Sequence, residues 1–209
     1  MSPALRGPLC VAAAVTLVLT IVRLVGELCS GNEWLFGRQA GGGGSLLGIG
    51  WLIPVVGFWF GRRLARAGQV PADSRAAWRR LTVALVATVA ILMLARNVLG
   101  VSFPTFAFVS LALPAVTIAA WRSWPALARL LLMYALLARL PILVITACAI
   151  AGNWGTHYER LAPGSPEMPD LARGLVLGAS QLCIWLPLTI QCGTFAGLLA
   201  ARAYKPTCA

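Results

Sequence analysis

Residues 8–29 read PLCVAAAVTLVLTIVRLVGELC. As an α-helix these 22 residues would be about 33 Å long, enough to cross a bilayer hydrocarbon core of about 30 Å. The run holds two charges, Arg23 and Glu27, one helical turn apart. It superficially resembles a secretory signal, with Arg6 ahead of an apolar core. A cleavable signal, however, has a shorter core followed by a small-x-small site, and here Arg23 and Glu27 follow instead. The sequence therefore predicts an uncleaved first transmembrane helix.

The rest of the chain agrees. Its 209 residues are 59% hydrophobic and only 11% charged, against about 25% charged in soluble domains. The mean hydropathy is +0.83. These figures exclude an ordinary soluble protein, a disordered chain and a disulfide-rich secreted domain. Further apolar stretches cover 45–62, 80–99, 102–121, 126–150 and 172–201. The expectation is one all-α integral membrane domain over 1–209, a bundle of six transmembrane helices.

The formal net charge is +11, from 17 basic and 6 acidic residues, and its placement matters more than its size. One set of loops carries Arg6, Arg62, Arg63, Arg66, Arg75, Arg79, Arg80, Arg122, Arg202 and Lys205 against the single acid Asp73. The other set carries Arg38 and Arg160 against Glu33, Glu159, Glu167 and Asp170. By the positive-inside rule both termini are expected in the cytoplasm. The alanine, arginine and tryptophan content suits a bacterial inner membrane. No stacking platform or basic module accompanies the charge, so nucleic acid is not an expected partner.

Small and polar residues mark helix contacts where lipid is as apolar as leucine. Four stripes stand out: Ala13, Thr16, Thr20, Arg23 and Glu27; Gly50, Pro54, Gly57 and Gly61; Ser110, Pro114 and Thr117; and Ser180, Cys183, Pro187, Gln191 and Thr194. They are expected to face a shared interior.

Three arginines lie inside apolar segments. Counted from the cytoplasmic helix starts, Arg23, Arg96 and Arg139 sit at similar depths of about 22, 24 and 20 Å, in the outer half of the membrane. A charge near the bilayer centre costs about 2.5 to 3.5 kcal/mol on insertion scales. Glu27 can neutralise Arg23, and Arg96 can snorkel to the interface, but Arg139 has no such escape. Pro141 leaves the Leu137 carbonyl without its helical donor, a nearby acceptor, and Thr146 shares the Arg139 face. If these helices converge, one glutamate leaves two guanidiniums for a phosphate or carboxylate, whose oxygens suit the guanidinium fork. The expected ligand-binding residues are Arg23, Glu27, Arg96, Arg139 and Gln191. The expected ligand is an anionic solute or lipid headgroup, bound or transported.

On the same side Gly41 to Gly44 precede Ser45, a candidate cap and anion nest at the second helix, though with neither P-loop nor dinucleotide spacing. His157 is the one histidine, read as a surface loop residue. Metal, haem and thiol redox cofactors lack their ligand patterns, so no cofactor is expected and catalysis is not the favoured function. Of the six cysteines, Cys29 and Cys148 fall near the outer face, where a disulfide would persist. A different function remains open: a non-catalytic accessory or assembly subunit, with the buried charges pairing structurally. Membrane lipids, a second copy of the chain or a membrane complex are the expected partners.

Overall fold

A computed structural model describes residues 3–40, 45 and 47–204. Gly41 to Gly44, Lys205 and Cys208 lie outside the described residues. Every regular element described is helical: α1 (Pro3–Leu28), α2 (Glu33–Phe36), α3 (Leu52–Arg66), α4 (Ser74–Leu94), α5 (Phe103–Ser123), α6 (Pro125–Gly152), α7 (Asp170–Ser180) and α8 (Leu186–Ala203). π turns at Ala95–Leu99 and Gln181–Trp185 extend α4 and join α7 to α8.

Five stretches are long and apolar enough to cross a membrane: Leu5–Leu28, Ser74–Leu99, Phe103–Ser123, Pro125–Gly152 and Asp170–Ala203. Their outer surfaces agree, because residues such as Val18, Val86, Leu111 and Val144 are left exposed. A soluble monomer rarely exposes apolar area on this scale. The helix expected over 45–62 departs from this pattern. Residues 45 and 48 are not helical, a 3-10 turn covers Ile49–Trp51, and α3 has 15 residues, about 22 Å of helix. It falls short of a full span.

What α3 lacks in length it gains in packing, for its most extensive contacts are with α8. A Cβ placed on Gly57 would collide with the Gly193 backbone, and one on Gly61 with the Gly197 backbone. Two pairs of glycines spaced by four residues thus let the helices touch backbone to backbone. The order of the contacts makes α3 and α8 run in the same direction. Their arginine-bearing ends, with Arg62, Arg63, Arg66 and Arg202, are therefore adjacent. Leu127 and Leu131 of α6 close over Gly197 and Gly193 from the other side.

The stripes are buried in part. Thr16, Thr20, Arg23 and Glu27 are buried along α1, as are Gly57 and Gly61 on α3 and Gln191 and Thr194 on α8. Gly50, Pro54 and Pro114, expected inside, are exposed. On α5 the buried line is Val109, Leu113, Thr117 and Ala120 instead. Proline has no N–H to bury, so it is tolerated on a lipid-facing surface. Ser45 does not cap α3; its hydroxyl donates to the Leu35 carbonyl, and the turn before α3 starts at Gly48 without a side-chain cap. Cys29 and Cys148 are both free thiols.

Candidate functional site

The site is built where the end of α1 meets the loop after α6. Asn153 adopts the left-handed conformation that ends α6 (φ 47°), and Gly155 repeats a positive φ of 71°. Asparagine and glycine are the residues that occupy that region at least strain. The chain reverses, and the Glu159 carboxylate accepts from the Thr156 amide at 3.0 Å, capping a 3-10 turn over His157–Glu159. Tyr158 donates its hydroxyl to the Thr20 carbonyl, which draws the turn onto α1.

This reversal delivers His157 to Glu27, 130 residues away. The His157 amide donates to one Glu27 oxygen at 2.9 Å, and ring Nδ1 meets the other at 2.5 Å. Arg23 Nε donates to that second oxygen at 2.9 Å, and Arg23 Nη2 donates to the Gly37 carbonyl. Glu27 is 1% exposed, and the His157 side chain 11%. The expectation of a surface histidine is thus overturned. Burial holds the His157 ring below its ordinary pKa, and the Arg23 charge acts the same way, while the hydrogen bond to Glu27 opposes them. Burial also raises the Tyr158 phenol above its usual value.

Arg139 reaches the same place from α6. It is 5% exposed and donates one hydrogen bond, Nη1 to Gln181 Oε1 at 3.1 Å, while its Nε has no partner. Its guanidinium lies 5.0 Å from the centre of the Trp185 ring. Gln181 and Trp185 both belong to the π turn between α7 and α8, which presents them together toward Arg139. α6 runs through Pro141 as a continuous helix, and Arg139 bonds Gln181 rather than the Leu137 carbonyl. Among the described residues the ion pairs are Arg23–Glu27, His157–Glu27 and Arg173–Asp170. None of these pairs involves Arg139.

These groups enclose a cavity of about 330 Å³, at the lower end of the range for small-molecule sites. Arg23, Arg139, His157 and Arg160 line it together with Thr20, Thr146 and Ser180. Of the five residues expected to form the site, Arg23 and Arg139 converge here, with Glu27 bracing Arg23 from behind. Arg96 and Gln191 do not. Arg96 is exposed on the π turn that ends α4, where its side chain can snorkel. Gln191 is fully buried elsewhere, accepting from Thr88 at 2.8 Å and donating to Thr117 at 2.9 Å, so that it clamps α4, α5 and α8. The third arginine at the cavity is Arg160.

Sequence reasoning missed His157, Arg160, Gln181 and Trp185. One signal for His157 was present: T-x-x-E at 156–159 is a capping-box spacing, and it follows Asn153 and Gly155. Together they mark an ordered reversal rather than a loose loop. Nothing local marks Gln181 or Trp185 as partners of Arg139. Compared with known protein families, curated proteins and solved structures, the chain matches none.

Proposed function

We propose that this chain is a multi-pass membrane protein that binds an anion, as a solute or as a lipid headgroup, in the cavity between Arg23 and Arg139. The observation that carries this reading is the state of Arg139: buried, facing a cavity, with one hydrogen bond made and no carboxylate partner among the described residues. A guanidinium has five donors, and leaving them unmatched away from water is expensive. A phosphate or carboxylate supplies both the charge and the acceptors. Trp185 shelters one side of Arg139 without neutralising it. With both termini in the cytoplasm, the cavity lies toward the outer leaflet of a bacterial inner membrane, open to solutes or headgroups arriving from outside.

Native mass spectrometry in mild detergent, with lipid extraction from the same sample, tests the reading. The expected result is a retained anionic lipid or small acid that is lost in Arg139→Ala and kept in Arg96→Gln. An Arg139→Ala protein that melts earlier, with no ligand-dependent difference from wild type, would make the arginine structural. The exposed Arg96 favours a second reading, an accessory or assembly subunit that pairs this charge with a partner helix. A protein that co-purifies with wild type and is lost in Arg96→Gln would put that reading first.

A further inference from the structure

The anion site contains a histidine whose hydrogen bonding is only half used. Glu27 accepts from Arg23 Nε and from the His157 amide, and ring Nδ1 stands 2.5 Å from the oxygen that Arg23 holds. A carboxylate held by a guanidinium and a backbone amide is ionised and can only accept, so Nδ1 at that distance carries the ring hydrogen and a neutral ring keeps its lone pair on Nε2. Among the described residues, Nδ1 is the only ring nitrogen of His157 with a protein partner. His157 lines the cavity alongside the two buried arginines. Its titratable and charged neighbours are Glu27 and Arg23 from α1, Arg139 from α6, and Tyr158, Glu159 and Arg160 on its own segment. The segment at Gln181–Trp185 contributes no charged group, and its one titratable residue, Cys183, is not part of the cavity lining.

We propose that the site takes its anion together with one proton, held on His157 Nε2 and shared with an oxygen of a phosphate or sulfate group. This rests on the anion-site reading and specifies its chemistry. Without an anion, burial and the Arg23 charge disfavour protonation of the ring. An oxoanion reverses that balance. Nε2 takes up a proton from solvent and becomes a donor, so the bound anion meets two guanidiniums and an imidazolium braced by Glu27. No covalent bond is made or broken. By linkage, what makes the proton bind more tightly with the anion present also makes the anion bind more tightly as the pH falls. Burial of the ring and the Arg23 charge, which hold its pKa down in the unliganded protein, set the starting point of this exchange.

The test uses the full chain in nanodiscs of neutral lipid and two probes whose charge is fixed near neutrality. Sulfate stands for a free oxoanion and phosphatidylglycerol for a lipid headgroup. Between pH 8 and pH 6 the affinity of at least one probe should rise, by up to about tenfold per pH unit for one coupled proton. Calorimetry in buffers of different ionisation heat should register uptake of about one proton per anion. The probe that responds identifies the source. His157→Asn keeps a donor where Nδ1 stands and removes Nε2, so its binding should be weaker, independent of pH and without proton uptake. A wild-type affinity that is flat with pH and takes up no proton overturns the proton coupling while leaving the anion site in place. So does a folded His157→Asn that keeps the pH dependence. Failure of both probes to bind at every pH overturns the anion site and the coupling together. If His157→Asn does not fold, the proton uptake of the wild type decides alone.

Discussion

At the scale of single residues, Glu27 carries more than its sequence position implied. As a neighbour of Arg23 at i+4 it reads as a helix-internal ion pair, and it is one. It is also the anchor for the 157–159 turn, through the His157 amide and ring. The histidine gives stability a pH dependence whose sign follows from its lowered pKa. As the pH falls through the ordinary histidine range near 6.5, the unfolded chain takes up the proton first, while the folded ring stays neutral. Stability is therefore full above that range, declines as the pH approaches the lowered folded value, and levels off below it. A thermal midpoint in detergent that is lower at pH 5.5 than at pH 7.5, with this difference reduced in His157→Asn, is the expected outcome.

At the scale of elements, the bundle is joined by two kinds of contact that need different residues. The α3–α8 crossing is a backbone contact, made possible at Gly57, Gly61, Gly193 and Gly197. Gly57→Ala places a methyl group against main-chain atoms that cannot rotate away, so the helices must separate. Overpacking of this kind costs about 1 to 3 kcal/mol, and thermal unfolding should show a clearly lowered midpoint. The substitution lies away from the cavity lining, so anion binding by the folded protein should persist. The Thr88–Gln191–Thr117 chain works differently, by satisfying polar groups across three helices. In membranes such interhelical bonds are worth about 0.6 to 2 kcal/mol each. Gln191 had the features of a ligand residue, polar and on an inward stripe, because a clamp and a ligand site ask for the same residue type. Only the neighbours distinguish them.

At the scale of the whole molecule, charge sorts along the bundle axis. Arg80 donates to the Arg122 carbonyl, and Trp124 Nε1 to the Gln69 carbonyl, so the start of α4 and the end of α5 lie at one end. The parallel α3 and α8 direct their terminal arginines alike. The cavity is built from the far end of α1, the second half of α6 and the loop that follows it. With the arginine-rich end in the cytoplasm, a fluorescent reporter fused after residue 204 should light up and an alkaline phosphatase fused there should stay inactive. The reverse pattern would place the cavity on the cytoplasmic side.

The sequence alone was enough to identify an all-helical membrane protein and the approximate positions of five of its long apolar helices. Length and hydropathy are local quantities, and for these five helices they carry over to the structure with little change. It also picked out Gly57 and Gly61 as contact residues, because small side chains four apart have few other uses in a lipid-facing helix. Which arginines share a site was a matter of tertiary structure. Arg23, Arg96 and Arg139 count to similar depths along their helices, but such a count leaves the rotation and neighbours of each helix undetermined, and α6 faces α1 while the end of α4 faces outward. The start of α3 was likewise visible only in the structure, where a 3-10 turn at Ile49–Trp51 precedes a helix of 15 residues. His157 shows the difference most plainly: its role depends on Glu27, and only the folded chain brings together two groups separated by 130 residues.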